Sequence, residues 1–127
     1  MKKKFGLLVM VLVAGTIGLY AAGVSEQEID AEYATKVYSD KSDWVYEFNQ
    51  MANKVHNTGQ EVVTNSGKYS FQINNFDEYS YRYKVLLDIG VKYRYIDDKT
   101  RQQQIAKLRE ERDKVSAAIS AASGLGL

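Results

Sequence analysis

The stretch Tyr79–Tyr95, YSYRYKVLLDIGVKYRY, decides how this chain is read, because its side chains alternate. Every odd position is apolar or aromatic: Tyr79, Tyr81, Tyr83, Val85, Leu87, Ile89, Val91, Tyr93 and Tyr95. The even positions are Ser80, Arg82, Lys84, Leu86, Asp88, Gly90, Lys92 and Arg94, and of these only Leu86 breaks the polar rule. A period of two suits a half-buried strand, whose successive side chains leave opposite faces, and tyrosine and valine favour extended backbone. Asp88, Ile89 and Gly90 supply a three-residue hairpin loop. Pairing Leu87 with Val91 sets Val85 opposite Tyr93 and Tyr83 opposite Tyr95, with the aromatics on one face. The competing reading is one long helix from Asp77 onward, since Tyr79, Tyr83, Leu86 and Tyr93 also share a helical face.

Upstream, Glu61–Thr64 and Lys68–Asn74 flank the turn residues Asn65, Ser66 and Gly67 and predict a second hairpin, with Asn74, Asn75 and Asp77 as the next turn. The middle of the chain therefore reads as a four-stranded antiparallel meander. Before it, Ile29, Tyr33, Val37, Trp44, Phe48, Met51 and Val55 recur at helical spacing. Ser25 with Glu28 fits a capping box at the start of that helix, and Asn57, Thr58 and Gly59 end it. After the meander, Asp97 or Asp98 caps a final helix with the stripe Ile105, Leu108, Val115, Ile119 and Ala122, interrupted by Arg112 and ended by Ser123 and Gly124. The expected fold class is α+β: an N-terminal membrane-spanning or signal helix, an amphipathic helix, the meander and a C-terminal helix. The alternative is an all-α, membrane-anchored helical hairpin.

The amino end sets the expected location. Lys2, Lys3 and Lys4 precede twenty uncharged residues, Phe5–Val24 (FGLLVMVLVAGTIGLYAAGV). Twenty helical residues reach roughly 30 Å, the depth of a bilayer's hydrocarbon core. The same features fit a secretory signal with a cut after Gly23. Either way the lysines stay in the cytoplasm, and the acidic run Glu26, Glu28, Asp30 and Glu32 begins an outward-facing part. The organisation expected is 1–24 as transmembrane anchor or signal peptide and 25–127 as one small extracytoplasmic domain, periplasmic or extracellular, of a bacterial or phage chain. Secretion after signal cleavage is the alternative.

Without the leader lysines the chain carries 14 Lys and Arg against 16 Asp and Glu, a balance that advertises no polyanion partner. There is no cysteine, so disulfides and thiolate ligands are excluded, and stability rests on packing or assembly. Proline is absent too, which favours long uninterrupted elements.

Three features are candidates for function. On the polar face of the second hairpin Arg82, Lys84, Lys92 and Arg94 lie together, with Lys84 opposed to Arg94, and form a candidate anion-binding face. Alternation puts the tyrosines on the other face, which argues against a single-stranded nucleic-acid platform. Ala14, Gly18 and Ala22 recur every fourth residue of the apolar stretch and form a candidate helix-packing groove for self-association. The tyrosine-rich sheet face is core if Trp44, Phe48 and the last helix cover it, and an assembly surface if they do not.

Catalysis finds little support. His56 is the one histidine, and no Gly-x-Ser-x-Gly turn presents a serine to it. Gly67 and Lys68 lack the rest of a phosphate loop, and Asp97 with Asp98 are too few for a calcium loop. No catalytic residue, metal ligand or cofactor is assigned.

Two resemblances complete the reading. The plan of a short basic leader ending at Gly6, a hydrophobic helix continuing into an amphipathic one, and then an antiparallel sheet resembles type IV pilins and pseudopilins, which implies filament assembly. Lys41–Phe48 (KSDWVYEF), following an amino-terminal span, is similar to the Arg-x-Asp-Leu-Ile-Pro-x-Leu segment of LemA-type membrane proteins, which implies an all-helical fold. The functional expectation is a membrane-anchored, non-catalytic envelope protein acting in interaction or assembly, with the membrane, a second copy or an envelope protein as partner. A cleaved, soluble periplasmic binding module is the alternative.

Overall fold

The computed structural model describes residues 24–125, which form four helices: α1 (Glu26–Ala34), α2 (Lys41–Thr64), α3 (Ser70–Lys92) and α4 (Asp98–Leu125). No strand occurs among the described residues, so the α+β meander is corrected to an all-α fold and the all-α alternative fits. The sheet that the pilin resemblance implies is likewise absent among the described residues. Helices α2 and α3 form an antiparallel hairpin, α4 returns along α2, and α1 lies on the C-terminal half of α3. The apolar stretch up to Gly23, with Ala14, Gly18 and Ala22, lies outside the described residues. Among the described residues no helix is long and apolar enough to cross a membrane.

The alternation in Tyr79–Tyr95 misleads for a physical reason. In a helix every second residue advances by about 200°, so the odd positions spread around the whole circumference. A tyrosine tolerates such positions because its ring packs while its hydroxyl stays wet. Tyr79 and Tyr81 are half-buried and Tyr93 is exposed, whereas Tyr83 and Leu87 are buried. The true register is Gln72, Phe76, Ser80, Tyr83, Leu87 and Gly90, spaced by three and four and buried throughout. Three of the supposedly outward residues, Ser80, Leu86 and Gly90, are therefore inside.

Gly90 is no hairpin glycine. A Cβ there would stand 2.5 Å from the Trp44 ring, so the missing side chain lets the indole lie against α3. Trp44 Nε1 donates to the Leu86 carbonyl at 2.9 Å, and the indole stacks on Phe48 at 5.2 Å and meets Tyr95 at 5.8 Å. Phe48 in turn packs on Tyr83 at 5.0 Å, and the Tyr83 hydroxyl donates to Gln104 Oε1 of α4 at 2.8 Å. Trp44, Phe48, Tyr83 and Tyr95 thus knit the N-terminal end of α2 to the C-terminal end of α3 and the first turns of α4.

Local chemistry sets the helix ends. Ser25 and Glu28 form the expected capping box, with Glu28 N–H donating to Ser25 Oγ at 3.1 Å and Ser25 N–H to Glu28 Oε1 at 3.0 Å. Asp97 Oδ1 accepts from Thr100 N–H at 2.8 Å and caps α4, and this bond holds its carboxyl below the usual range. The expected first helix is corrected to two: the chain breaks between Thr35 and Asp40, Asp40 caps α2 through Asp43 N–H, and Val37 is 87% exposed instead of in the stripe. Gly59 does not stop α2, which runs on to Thr64 with Gly59 buried against Phe76 of α3.

Both ends of the hairpin close in the same way. After α2, Ser66 takes φ 54°, with Gly67 N–H on the Val62 carbonyl and Ser66 N–H on that of Val63. After α3, Arg94 takes φ 63°, with Tyr95 N–H on the Gly90 carbonyl and Arg94 N–H on that of Val91. These paired bonds define a Schellman motif, which satisfies the last carbonyls, with a non-glycine residue in the left-handed position both times. Gly67 packs onto α4, where a Cβ would stand 2.8 Å from Ile119 Cγ1. Along α4 the stripe reaches the core at Leu108 and Val115, and the helix continues through Ser123 and Gly124 to Leu125.

Candidate functional site

The four cations expected to share a strand face do not meet, because a helix turns them apart. Two residues separate Arg82 from Lys84, which places them about 200° around α3 from each other. Arg82 is engaged: Nε donates to Glu78 at 2.9 Å, Nη1 donates to Glu32 of α1 at 3.0 Å, and its guanidinium lies 5.7 Å from the Tyr33 ring centroid. With 13% of its side chain exposed, it is a clasp that holds α1 onto α3, not an open anion receptor. Lys84 is half-buried farther along the helix, Lys92 stands 5.6 Å over the Tyr93 ring, and Arg94 occupies the exposed left-handed turn position.

A cleft of about 210 Å³ opens between α1 and the end of α3, floored by Ala34, Val85 and Ile89 and rimmed by Asp30, Lys36 and Lys92. Its charges are largely spent within the protein. Lys36 pairs with Glu47 at 2.8 Å, and Asp30 accepts the Tyr81 hydroxyl at 2.8 Å. Burial first, and then that bond, pushes the Tyr81 phenol up to about 12. Of the charged groups lining it, Lys92 makes no ion pair among the described residues and stands over the Tyr93 ring.

His56 joins helices. Its Nδ1 lies 3.1 Å from Glu111 Oε2 of α4 and its Nε2 lies 3.4 Å from Gln60 Nε2, on an exposed surface. The three residues bridge α2 to α4 without a hydroxyl among them, so the arrangement lacks the nucleophile that a histidine–carboxylate pair would activate. No group of three or more metal-ligating side chains occurs among the described residues.

The end of the bundle at the α2–α3 turn is different in kind. Between Asn57 and Phe76 the charged residues are Glu61 and Lys68 alone, and Val115–Leu125 has none. Here Val63 is 43% exposed, Tyr69 40% and Phe71 56%. The Tyr69 and Phe71 rings lie 5.9 Å apart, and Lys68 Nζ stands 5.4 Å over Tyr69. The other exposed large side chains, such as Val37 and Tyr46, sit among charged neighbours, as scattered surface residues do. Packing of Gly67 on Ile119 joins the turn to the last turns of α4 in one surface.

The sequence pattern hides this surface, because the alternation in Lys68–Asn74 reads as a strand. The legible signal was the thinning of charge in two separate stretches, 57–76 and 115–125, which gains meaning once the fold brings them to one end. Comparison with protein-family models, curated proteins and solved structures finds no match to this chain.

Proposed function

We propose that this chain is a membrane-tethered helical bundle acting in protein contact or assembly and not in catalysis, with the charge-poor end as its contact surface. The observation that carries the reading is the separation of the two ends. The apolar stretch Phe5–Val24 leads into α1, which docks near Tyr81, Arg82 and Ile89, while Phe71 lies at the opposite end of α3. Eighteen helical residues from Phe71 to Ile89 span about 27 Å, so a bundle held at α1 presents its aromatic end away from the attachment. An exposed aromatic pair in a stretch whose charges are Glu61 and Lys68 alone has the composition of a contact core, where charge is depleted.

The LemA-type resemblance at Lys41–Phe48 is compatible with this reading. Those residues form the first two turns of α2, and the all-helical fold is the one that the resemblance implies.

The test is fractionation of the full chain from its membranes by alkaline carbonate, with intact mass of the recovered protein and protease access to its C-terminal end. The tether predicts a pelleted protein that keeps residues 1–24, with the C-terminal end outside the cytoplasm. A soluble product lacking about 23 residues would sink the tether and leave the cleaved periplasmic module.

A further inference from the structure

We propose that α1 is a strap that opens from α3 and recloses while α2, α3 and α4 stay folded, with Arg82 as its latch. The sequence of α1, EQEIDAEYA, argues against a helix that stands by itself. Its nine residues fall short of the roughly 12–15 that an isolated helix needs. Glu26 with Asp30 and Glu28 with Glu32 set like charges four residues apart, where they repel. Asp30 and Glu32 also add negative charge toward the negative end of the helix dipole, in a helix whose last turn has no basic residue. Docking is therefore what makes α1 helical, and leaving α3 means unfolding.

The dock itself is narrow. The packing of α1 is chiefly on α3, and of its own side chains Ile29 and Tyr33 alone are buried. The rest of its hold is polar and reaches the surface: Asp30 accepts from the Tyr81 hydroxyl at 2.8 Å and Glu32 from Arg82 Nη1 at 3.0 Å. Lys36, just past the helix, pairs with Glu47 of α2 at 2.8 Å. Arg82 joins both kinds of hold, because its guanidinium also lies 5.7 Å from the Tyr33 ring centroid while Glu78 anchors it to its own helix. It supplies the countercharge that α1 lacks. By contrast, Val62, Phe76, Leu87, Leu108 and Val115 bind α2, α3 and α4 through one core. A segment with little buried apolar surface and exposed polar bonds is the first to open. The link that follows it, between Thr35 and Asp40, is the hinge, with Val37 87% exposed.

Opening changes reach. The apolar stretch Phe5–Val24 ends beside the Ser25 cap. Closed, α1 is about 13 Å long. Open, Ser25–Asp40 extends to about 50 Å at ~3.4 Å per residue. The strap thus sets whether the bundle sits at its attachment or ranges away from it. The motion of α1 needs no membrane, whereas this change of reach rests on the reading of the chain as tethered.

Hydrogen–deuterium exchange of the full chain, read segment by segment by mass spectrometry, tests the strap. The amides of α1 are expected to exchange roughly 100-fold faster than those of α3 between Phe76 and Leu87. Arg82→Gln leaves the sequence of α1 intact and should speed its exchange roughly tenfold, by loss of a charge-assisted bond, with α2 and α4 unchanged within about twofold. Tyr33→Ala should act in the same way from the other side of the latch. Spin labels on Ala31→Cys and Gln103→Cys, both at exposed positions of a chain without other thiols, should report a short distance and a longer, broader one, with Arg82→Gln moving population to the longer.

Exchange of α1 in step with α3, or a single label distance that Arg82→Gln does not move, overturns the strap. So does a rise through α2 and α4 as large as that in α1 in both variants, since the chain then opens as one unit. A cut after Gly23 leaves α1 whole, so the same readings serve on a released chain. There, fast exchange of α1 supports the strap and removes only the change of reach.

Discussion

The two ends of this bundle use aromatic side chains in opposite ways. At the end built from the start of α2 and the close of α3, Trp44, Phe48, Tyr83 and Tyr95 are packed on one another, and Trp44 and Tyr83 are almost wholly buried. At the α2–α3 turn Tyr69 and Phe71 touch each other but stay 40% and 56% exposed, with almost no charge around them. Burial area makes the first end a source of stability, and the second contributes little to folding. Residues that cost little to the fold are free to serve a contact, which is why the difference is informative.

The comparison can be broken most widely by raising the pH, since burial makes the phenols of Tyr83, Tyr81 and Tyr38 resist ionisation in the folded chain. Burial pushes Tyr83 up to about 12, burial and the Asp30 bond do the same for Tyr81, and Tyr38 is raised by burial and by Glu47. Their folded values lie above the ordinary tyrosine value of about 10, so this stability is fully present below about pH 10 and is lost as pH rises toward 12. Phenolate absorbance and circular dichroism should change together across that window, and Tyr83→Phe should make the loss shallower. A protein as stable at pH 12 as at pH 9 would contradict the packed tyrosines.

Removal of one ring comes next in size. Trp44→Ala deletes a side chain that is 3% exposed and should cost about 3–5 kcal/mol in a denaturant titration. A loss below about 1 kcal/mol would mean that Trp44 does not organise that end. In the other direction, Arg94→Gly relieves a left-handed residue that makes no ion pair among the described residues, and should add about 1 kcal/mol. Phe71→Ser should sit lowest, within about 0.5 kcal/mol of the parent by the same titration, because more than half of that ring is already in solvent. A large loss there would erase the contrast between the ends.

Much of the local punctuation was legible before the fold was known. Ser25 with Glu28 and the cap at Asp97 were readable because they depend on residues three apart in sequence. Asn65, Ser66 and Gly67 were readable as a turn, although what they join is two helices and not two strands. Leu108 and Val115 were readable as an inward stripe of the last helix. The middle of the chain misleads because polarity there does not measure exposure: Ser80, 1% exposed, and Gly90 are inside because they are small, and Tyr79 and Tyr81 alternate with them because a phenol can sit at an edge. The four cations were grouped by that same false period, so their separation on α3 follows from the helix.

By itself the sequence determined the absence of disulfides, the length of uninterrupted segments that a chain without proline can form, the caps, and a charge distribution thin in two stretches. Only the tertiary structure decided whether Tyr79–Tyr95 pairs as strands or packs as a helix. A period of two and a period of 3.6 both place some aromatics on one face, and what separates them is whether the small residues between find something to receive. Trp44, forty-six residues away from Gly90, is what fills that gap, and no local pattern records it. The same long-range packing, Gly67 against Ile119, brings the two charge-poor stretches to one end and makes them a surface.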